Sequence, residues 1–417
     1  MAKMILCPAG SYGDVHPFVG LGLVLRGRGH EVSIHTNGYF RSLVERSGLR
    51  FVEVGTKEEY ESAVANPDLW HKSRAGKVVA DMCALLIERG YAALEQEVAP
   101  GKTMVAAGSL AFSARIAHET MGVPMATIHL QPSLIRSVHE TPLLGHLDIN
   151  WMPAFLKRAT FWLADVLIVD RIFAGPVNRF RARFGLKPIK HMIEGWWHSP
   201  LLTVGMFPEW FAAPQPDWPA QIRLTGFPLW DEQGVTPIEP ALEEFLAAGE
   251  KPIVFTPGSA MIHGRDWLRA GADACAALGR RGLLLTRYPE QVPANLPETV
   301  RHFAYAPFSQ LLPRCAALVH HGGIGTMSQA LAAGIPQLIK PMAHDQFDNA
   351  DRIERLGVGL GMLKRTTDGM ATAQRLDEMF HISGLNQRCT GLAARVGSQH
   401  GLEETADLLE QTSGLAP

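Results

Sequence analysis

The chain lacks several features that would assign it to an easy class. Its five cysteines, Cys7, Cys83, Cys275, Cys315 and Cys389, are scattered and include no C-x-x-C pair. That spacing fits reduced, mostly structural thiols, with a cytoplasmic home as the expectation. There is no excess of either charge sign: the formal net charge is -2, so no basic surplus points to a nucleic-acid partner. No signal peptide is legible, because Lys3 is followed by one short apolar strand and then polar, glycine-rich sequence. There is also no uncharged apolar run of spanning length. The most apolar long segment, 151–169, contains Lys157, Arg158 and Asp165, whereas a spanning helix needs about 20 residues with few charges. An amphipathic helix that lines a greasy pocket or touches a membrane surface stays open, so peripheral membrane contact is one expectation for this segment.

What is present is apolar material in a regular alternation. The 417 residues are 47% hydrophobic, enough for sizeable cores in two or three domains. The chain opens with an apolar strand (4–7), a loop Gly10-Ser11-Tyr12-Gly13-Asp14-Val15-His16-Pro17, a helical pattern over 18–28 with Pro17 at its first position, and strands at 31–36 and 50–54. Helices near 76–98 and 110–121 alternate with strands at 103–107 and 124–129, and strands at 201–204 and 222–225 close the half. A proline-dense stretch places the linker at about 228–248. The alternation then restarts, with strands at 253–256, 283–286, 300–303, 316–319 and 337–339. The fold class is therefore α/β: two doubly wound, Rossmann-like domains, 1–235 and 236–395, expected to face each other across a cleft at the carboxyl ends of their strands. The tail, 396–417, reads as an amphipathic helix.

The most informative stretch is His320-His321-Gly322-Gly323-Ile324-Gly325-Thr326, between a buried strand and a helix start. Glycines let a ligand approach the backbone, and a helix N-terminus offers unpaired N–H groups with about half a positive charge. Together these predict an anion site, most naturally for phosphate. Thr326 is the expected N-cap. The loops Pro257-Gly258-Ser259 and Pro341-Met342-Ala343-His344-Asp345-Gln346 follow neighbouring strands and belong on the same edge.

Gly10-x-x-Gly13-Asp14-x-x-Pro17, joined to His320-His321-Gly322-Gly323-x-Gly325-Thr326, Gly334-x-Pro336 and Asp345-Gln346, resembles the nucleotide-sugar-dependent glycosyltransferases of the GT-B fold. The branch it looks like comprises the sterol and lipid glucosyltransferases and the bacterial enzymes acting on natural products. The resemblance spans nearly the whole chain and implies inverting transfer of a hexose, with UDP-glucose as the default donor, a dTDP-sugar as the other choice, and a C-terminal helix, 396–417, that returns to the first domain. The acceptor is expected to be a hydrophobic alcohol such as a sterol, lipid or polyketide. No cofactor or metal is expected, since the chain contains no Asp-x-Asp.

Within that resemblance, His321, the N–H groups of Gly323, Gly325 and Thr326, Gly258 and Ser259 would hold the departing diphosphate. Asp14, in the loop with Gly13, is the preferred general base over His16. Plant-type relatives pair a histidine there with an aspartate on a later strand, but the corresponding Ala106-Ala107-Gly108-Ser109 carries no acid. Asp345 and Gln346 fall on the sugar hydroxyls, Gln329 on the ribose and Tyr305 where relatives stack a tryptophan on the base. His129 and Gln131 either border the acceptor or serve packing and capping. Asp348 and Asp351 read as a solvated helix face. Two other classes remain in view: an NAD-type oxidoreductase, from the near miss Gly323-x-Gly325-x-x-Ser328, and a catalytically silent sugar-nucleotide binder.

Overall fold

The computed structural model describes residues 2–71, 73–143, 147–232, 234–362 and 367–414. Packing divides them into two compact units. One comprises 2–143, 147–228 and 400–414; the other comprises 229–399.

The first unit is built on a seven-stranded, wholly parallel sheet: β1 (Lys3–Cys7), β2 (Glu31–Thr36), β3 (Arg50–Glu53), β4 (Thr103–Gly108), β5 (Met125–His129), β6 (Leu202–Gly205) and β7 (Ile222–Leu224). The strand order is β3-β2-β1-β4-β5-β6-β7. Its central strands are almost continuously apolar because helices cover both faces, so Ile5, Leu6, Val105, Ala107 and Ile128 have almost no exposed surface. β1 and β4 run in register from Lys3 opposite Thr103 to Cys7 opposite Ala107. The strand order turns back between these two, which is where an open parallel sheet leaves room for a ligand at its carboxyl edge.

The second unit repeats the plan with six parallel strands: β8 (Ile253–Thr256), β9 (Gly282–Leu285), β10 (Val300–Phe303), β11 (Ala317–His320), β12 (Gln337–Ile339) and β13 (Gly359–Gly361). Their order is β10-β9-β8-β11-β12-β13, so the reversal falls between β8 and β11. β13 has no apolar signature because its backbone lies so close to β12. A Cβ on Gly359 would stand 2.1 Å from the Gln337 carbonyl oxygen.

The helix Gly401–Ser413 packs into the first unit. Gly401 lies against Gly226, where a Cβ would be 2.2 Å from the carbonyl oxygen. Arg28 reaches Asp407 (2.6 Å) and Glu410 (2.9 Å), and His30 Nε2 lies 2.7 Å from Glu410 Oε1. Residues 415–417 of the expected tail, and residue 233 of the expected linker, lie outside the described residues. No described helix is long and apolar enough to cross a membrane. The five cysteines are buried free thiols, and burial raises those of Cys7, Cys83, Cys275 and Cys315 to about 12.

Three local expectations change. The first helix runs Tyr12–Gly27, so it begins inside the glycine-rich loop and Pro17 lies within it rather than at its start. From Leu229 on, the described residues of the linker stretch belong to the second unit. Asp231 accepts the Ser309 N–H (2.6 Å) and hydroxyl (3.1 Å), and the buried Glu232 pairs with Arg287 at 3.4 Å. The unit boundary therefore follows Pro228, and the return to the first unit begins at His400. Asp348 is not on a solvated face: it is 2% exposed and paired with the equally buried Arg352 at 2.8 Å, an i,i+4 contact that compensates its burial.

Candidate active site

In the second unit, β11 ends on His320 and hands the chain to the glycine turn. His320 is fully enclosed. Its Nδ1 accepts the Gly322 N–H at 3.1 Å, so the proton sits on Nε2 and is donated to Gln337 Oε1 at 3.0 Å. Burial, with His321 adding to it, lowers its pKa to about 3 and keeps the ring neutral. His320 thus shapes the turn from beneath.

His321 points elsewhere. Its half-buried ring fills the space where a Cβ at Gly258 would come within 2.6 Å of Cε1, and a Cβ at Gly323 within 2.5 Å of Nε2. Gly258 also has φ +95°, a conformation that favours glycine. The imidazole is therefore seated between the loops that follow β8 and β11, at the point where the strand order reverses. Burial first, then the neighbouring His344, lowers its pKa to about 4. Its Nδ1 is buried with no hydrogen-bond partner among the described residues.

The helix Ile324–Ala333 starts beside this ring, capped by Gly323 at φ -62°, ψ 137°, with no side-chain cap. The expected cap, Thr326, lies instead in the first turn. The N–H groups of Ile324, Gly325 and Thr326 have no acceptor within the helix, and these residues are only half-buried. An uncapped start with accessible backbone N–H groups suits an anionic ligand. Ser259 is exposed in the facing loop, and its carbonyl accepts the Tyr288 hydroxyl at 3.1 Å. Gln329 is 8% exposed, farther along the helix.

The loop after β12 is tied to the same turn. Asn349, fully buried, donates to the Gly322 carbonyl (2.8 Å) and to Asp345 Oδ2 (2.7 Å). The sequence reading had not singled out Asn349; its position four residues after Asp345 on the helix Gln346–Leu356 was the available signal. Gln346 Oε1 accepts the N–H groups of Met342 (2.7 Å) and Ala343 (3.0 Å). Its carbonyl end is therefore committed to the loop, and the amide nitrogen is what it can offer a ligand. His344, between them, has φ +58°, a strained setting for a residue with a Cβ.

Tyr305 is held at both ends. Its hydroxyl donates to the Asp231 carbonyl (2.7 Å), and the Arg287 guanidinium lies 4.5 Å from its ring centroid. One face of the ring is already occupied, which limits stacking there to the other.

In the first unit, the loop after β1 carries Asp14. Ser11 caps the helix by accepting the Gly13 N–H at 3.3 Å. Asp14 Oδ2 in turn accepts the Ser11 N–H (2.7 Å) and hydroxyl (3.2 Å), a capping box. Gly10, at φ +138°, lies directly under the carboxylate: a Cβ there would be 2.2 Å from Oδ2. Asp14 Oδ1 takes no hydrogen bond among the described residues. Burial raises the Asp14 pKa above the usual carboxylate value, and the two Ser11 bonds oppose that rise. His16 is half-buried and packs edge-on to Tyr12, with ring centroids 5.3 Å apart.

His129 has no exposed surface. Its Nδ1 is 2.8 Å from Ser109 Oγ and its Nε2 2.9 Å from His198 Nδ1. An acceptor contact at this place would therefore fall to His198, which is 8% exposed, or to the half-buried Gln131. Ser109 and His198 were not foreseen; they stand too far apart in the chain to form a pattern. Among the described residues no three His, Cys, Asp or Glu side chains converge as metal ligands.

Residues 4–140 match the glycosyltransferase family 28 N-terminal domain, and residues 285–410 match the erythromycin biosynthesis protein CIII-like C-terminal domain. The O-mycaminosyltylonolide 6-deoxyallosyltransferase of Streptomyces fradiae is 30% identical, over 98% of this chain and 97% of its own. Among solved structures, the glycosyltransferase of kitacinnamycin superposes with a TM-score of 0.72 at 20% identity, over 99% of both chains. The spinosyn rhamnosyltransferase SpnG, complexed with thymidine diphosphate, superposes with a TM-score of 0.68 at 16% identity, over 98% of this chain and 100% of its own. Neither likeness nor family match favours a nicotinamide enzyme. With two parallel-sheet units of matching topology and a relative alike along nearly its whole length, the chain belongs to the GT-B glycosyltransferases, in the nucleotide-sugar-dependent branch that acts on natural products.

Proposed function

We propose that the protein is an inverting, metal-independent glycosyltransferase that moves a hexose from a nucleoside diphosphate sugar to a hydroxyl of a hydrophobic small-molecule acceptor. The observation that carries this reading is the uncapped helix start at Ile324 beside the seated His321 ring. As the acceptor oxygen forms its bond to the anomeric carbon, the carbon–oxygen bond to the diphosphate breaks and the electron pair leaves with the phosphate. The N–H groups of Gly325 and Thr326, the Ser259 hydroxyl and the His321 ring supply donors and partial positive charge for that leaving group. The acceptor proton passes to Asp14 Oδ1, the carboxylate oxygen the capping box leaves unused. Asp345 and the Gln346 amide nitrogen bind the sugar hydroxyls, and Gln329 serves the ribose.

For the donor, the family resemblance makes UDP-glucose the default. A thymidine diphosphate 6-deoxyhexose now has the better support. The Streptomyces fradiae relative is named for 6-deoxyallosyl transfer, and SpnG is a rhamnosyltransferase seen with thymidine diphosphate. The test is calorimetric titration of thymidine and uridine diphosphates and their hexose conjugates, followed by incubation with a library of hydrophobic alcohols read by mass. Nucleoside diphosphate binding that survives Asp14→Asn but weakens in His321→Ala supports the division of roles. Absence of binding to every nucleotide rejects it.

A further inference from the structure

The helix Ala154–Ala164 and the π-helical stretch Asp165–Ala174 that continues it are turned inside out. Two of their charged side chains, Lys157 and Asp165, face inward. Lys157 is 3% exposed, with Nζ donating to the Val138 carbonyl at 2.8 Å, and Asp165 is fully buried against Arg136 at 2.6 Å. Their apolar side chains face out. Trp151 is 79% exposed, Phe155 67%, Trp162 55% and Ile168 58%, with Leu163 and Leu167 also exposed. Phe155, Ala159 and Trp162 share one face of the helix Ala154–Ala164, and Leu163, Val166, Leu167 and Ile168 continue the exposed apolar surface beyond it. Monomers rarely leave so much contiguous apolar surface uncovered.

The charges around the stripe indicate what covers it. Between Trp151 and Arg171 the exposed charged residues are Arg158 and Arg171. Lys190 is exposed beside His191, whose ring lies 6.3 Å from Trp162. Within 151–171 the acids are turned away: Asp165 is buried, and Asp170 accepts the backbone N–H groups of His191 (2.8 Å) and Met192 (3.0 Å); Glu194, on the short helix packed against this stretch, is exposed. Asp148, beside Trp151, is exposed at one end, with Oδ1 accepting the Asn150 N–H. Aromatic and aliphatic residues bordered by cations, on a helix that cannot span, fit the interface of an anionic bilayer.

We propose that this stripe docks the protein on the surface of an anionic lipid membrane, with Trp151, Phe155 and Trp162 in the interface and Arg158, Arg171 and Lys190 at the headgroups. The inference stands independently of the donor and acceptor proposed above. The test is sedimentation of the full chain with phosphatidylcholine vesicles with and without phosphatidylglycerol. Binding is expected only to the anionic vesicles and should fall in high salt. Arg158→Glu with Arg171→Glu should weaken it by at least about tenfold. Trp151→Ser with Phe155→Ser and Trp162→Ser should abolish it, with unchanged circular dichroism in both variants. No binding to the anionic vesicles, or equal binding by the parent and both variants, would overturn the proposal. So would self-association in velocity sedimentation that the serine variant abolishes while no vesicle binding occurs.

Discussion

The imidazole of His321 occupies the place a side chain at Gly258 would need, with its Cε1 2.6 Å from where that Cβ would stand. Gly258→Ala should therefore push the ring off its seat while leaving the sheet intact. At φ +95° the alanine also adds strain of about 1 kcal/mol. Nucleoside diphosphate affinity, measured by calorimetry, is expected to fall about tenfold or more. The melting temperature should move only by a few degrees.

Asp14→Asn retains an oxygen that can accept the Ser11 N–H, so the helix start should survive the change. Turnover should drop by a factor of about 10² to 10⁴, the range typical for loss of a general base. Donor affinity should be nearly unchanged. Steady-state kinetics alongside calorimetry separates the two effects, and a turnover equal to the parent's would refute the assignment.

With Asp14 as the proposed general base, activity would require it ionised, and burial raises its pKa while the Ser11 bonds hold it back. The acid limb of the pH profile should thus lie above the ordinary carboxylate range. Ser11→Ala removes the hydroxyl bond to Oδ2 and should move that limb to still higher pH. It also deletes the helix cap, at a cost of about 1 kcal/mol in stability. The kcat/KM profile and a denaturant titration check the two consequences separately.

The leaving diphosphate is assigned to backbone N–H groups and neutral side chains. Exhaustive chelation with EDTA should accordingly leave the rate unchanged, and added magnesium or manganese should not raise it. A rate that requires restored metal would contradict the mechanism.

Three interior histidines should lower stability in acid. Burial lowers the pKa of His320 to about 3 and of His198 to about 4, and holds His129 well below its usual value. In the unfolded chain each takes a proton near pH 6.5, whereas the folded form resists it. Their contribution is therefore present above about pH 6.5 and is lost as pH falls toward the folded values. Each contributes a slope of up to about 1.4 kcal/mol per pH unit in that window. Unfolding temperatures measured from pH 7 to pH 5 should decline steadily.

The sheet strands were legible because both faces of a parallel sheet are covered, which leaves plain apolar runs such as Met4-Ile5-Leu6 and Leu318-Val319. Helix starts were harder. Ser11 and Asp14 carry the spacing of a capping box, but the loop's glycines and Pro17 drew the start too late. At the second site the cap is Gly323, which has no side chain to announce it. Contacts between distant positions left no local trace: Ser109, His129 and His198 meet through the fold alone. The inward turn of Lys157 and Asp165 was hidden because their partners, Val138 and Arg136, lie in an irregular segment.

The last helix has a consequence for how the molecule is made. Thr405, Ala406 and Leu409 have no exposed surface, and they complete a unit whose other residues precede 229. On the ribosome, the first unit lacks this helix while 229–399 is synthesised, roughly ten to thirty seconds at ordinary rates. The middle of the chain can thus close before its beginning does, and the newborn protein carries an unfinished apolar seam along Tyr12–Gly27 until residues 401–413 emerge.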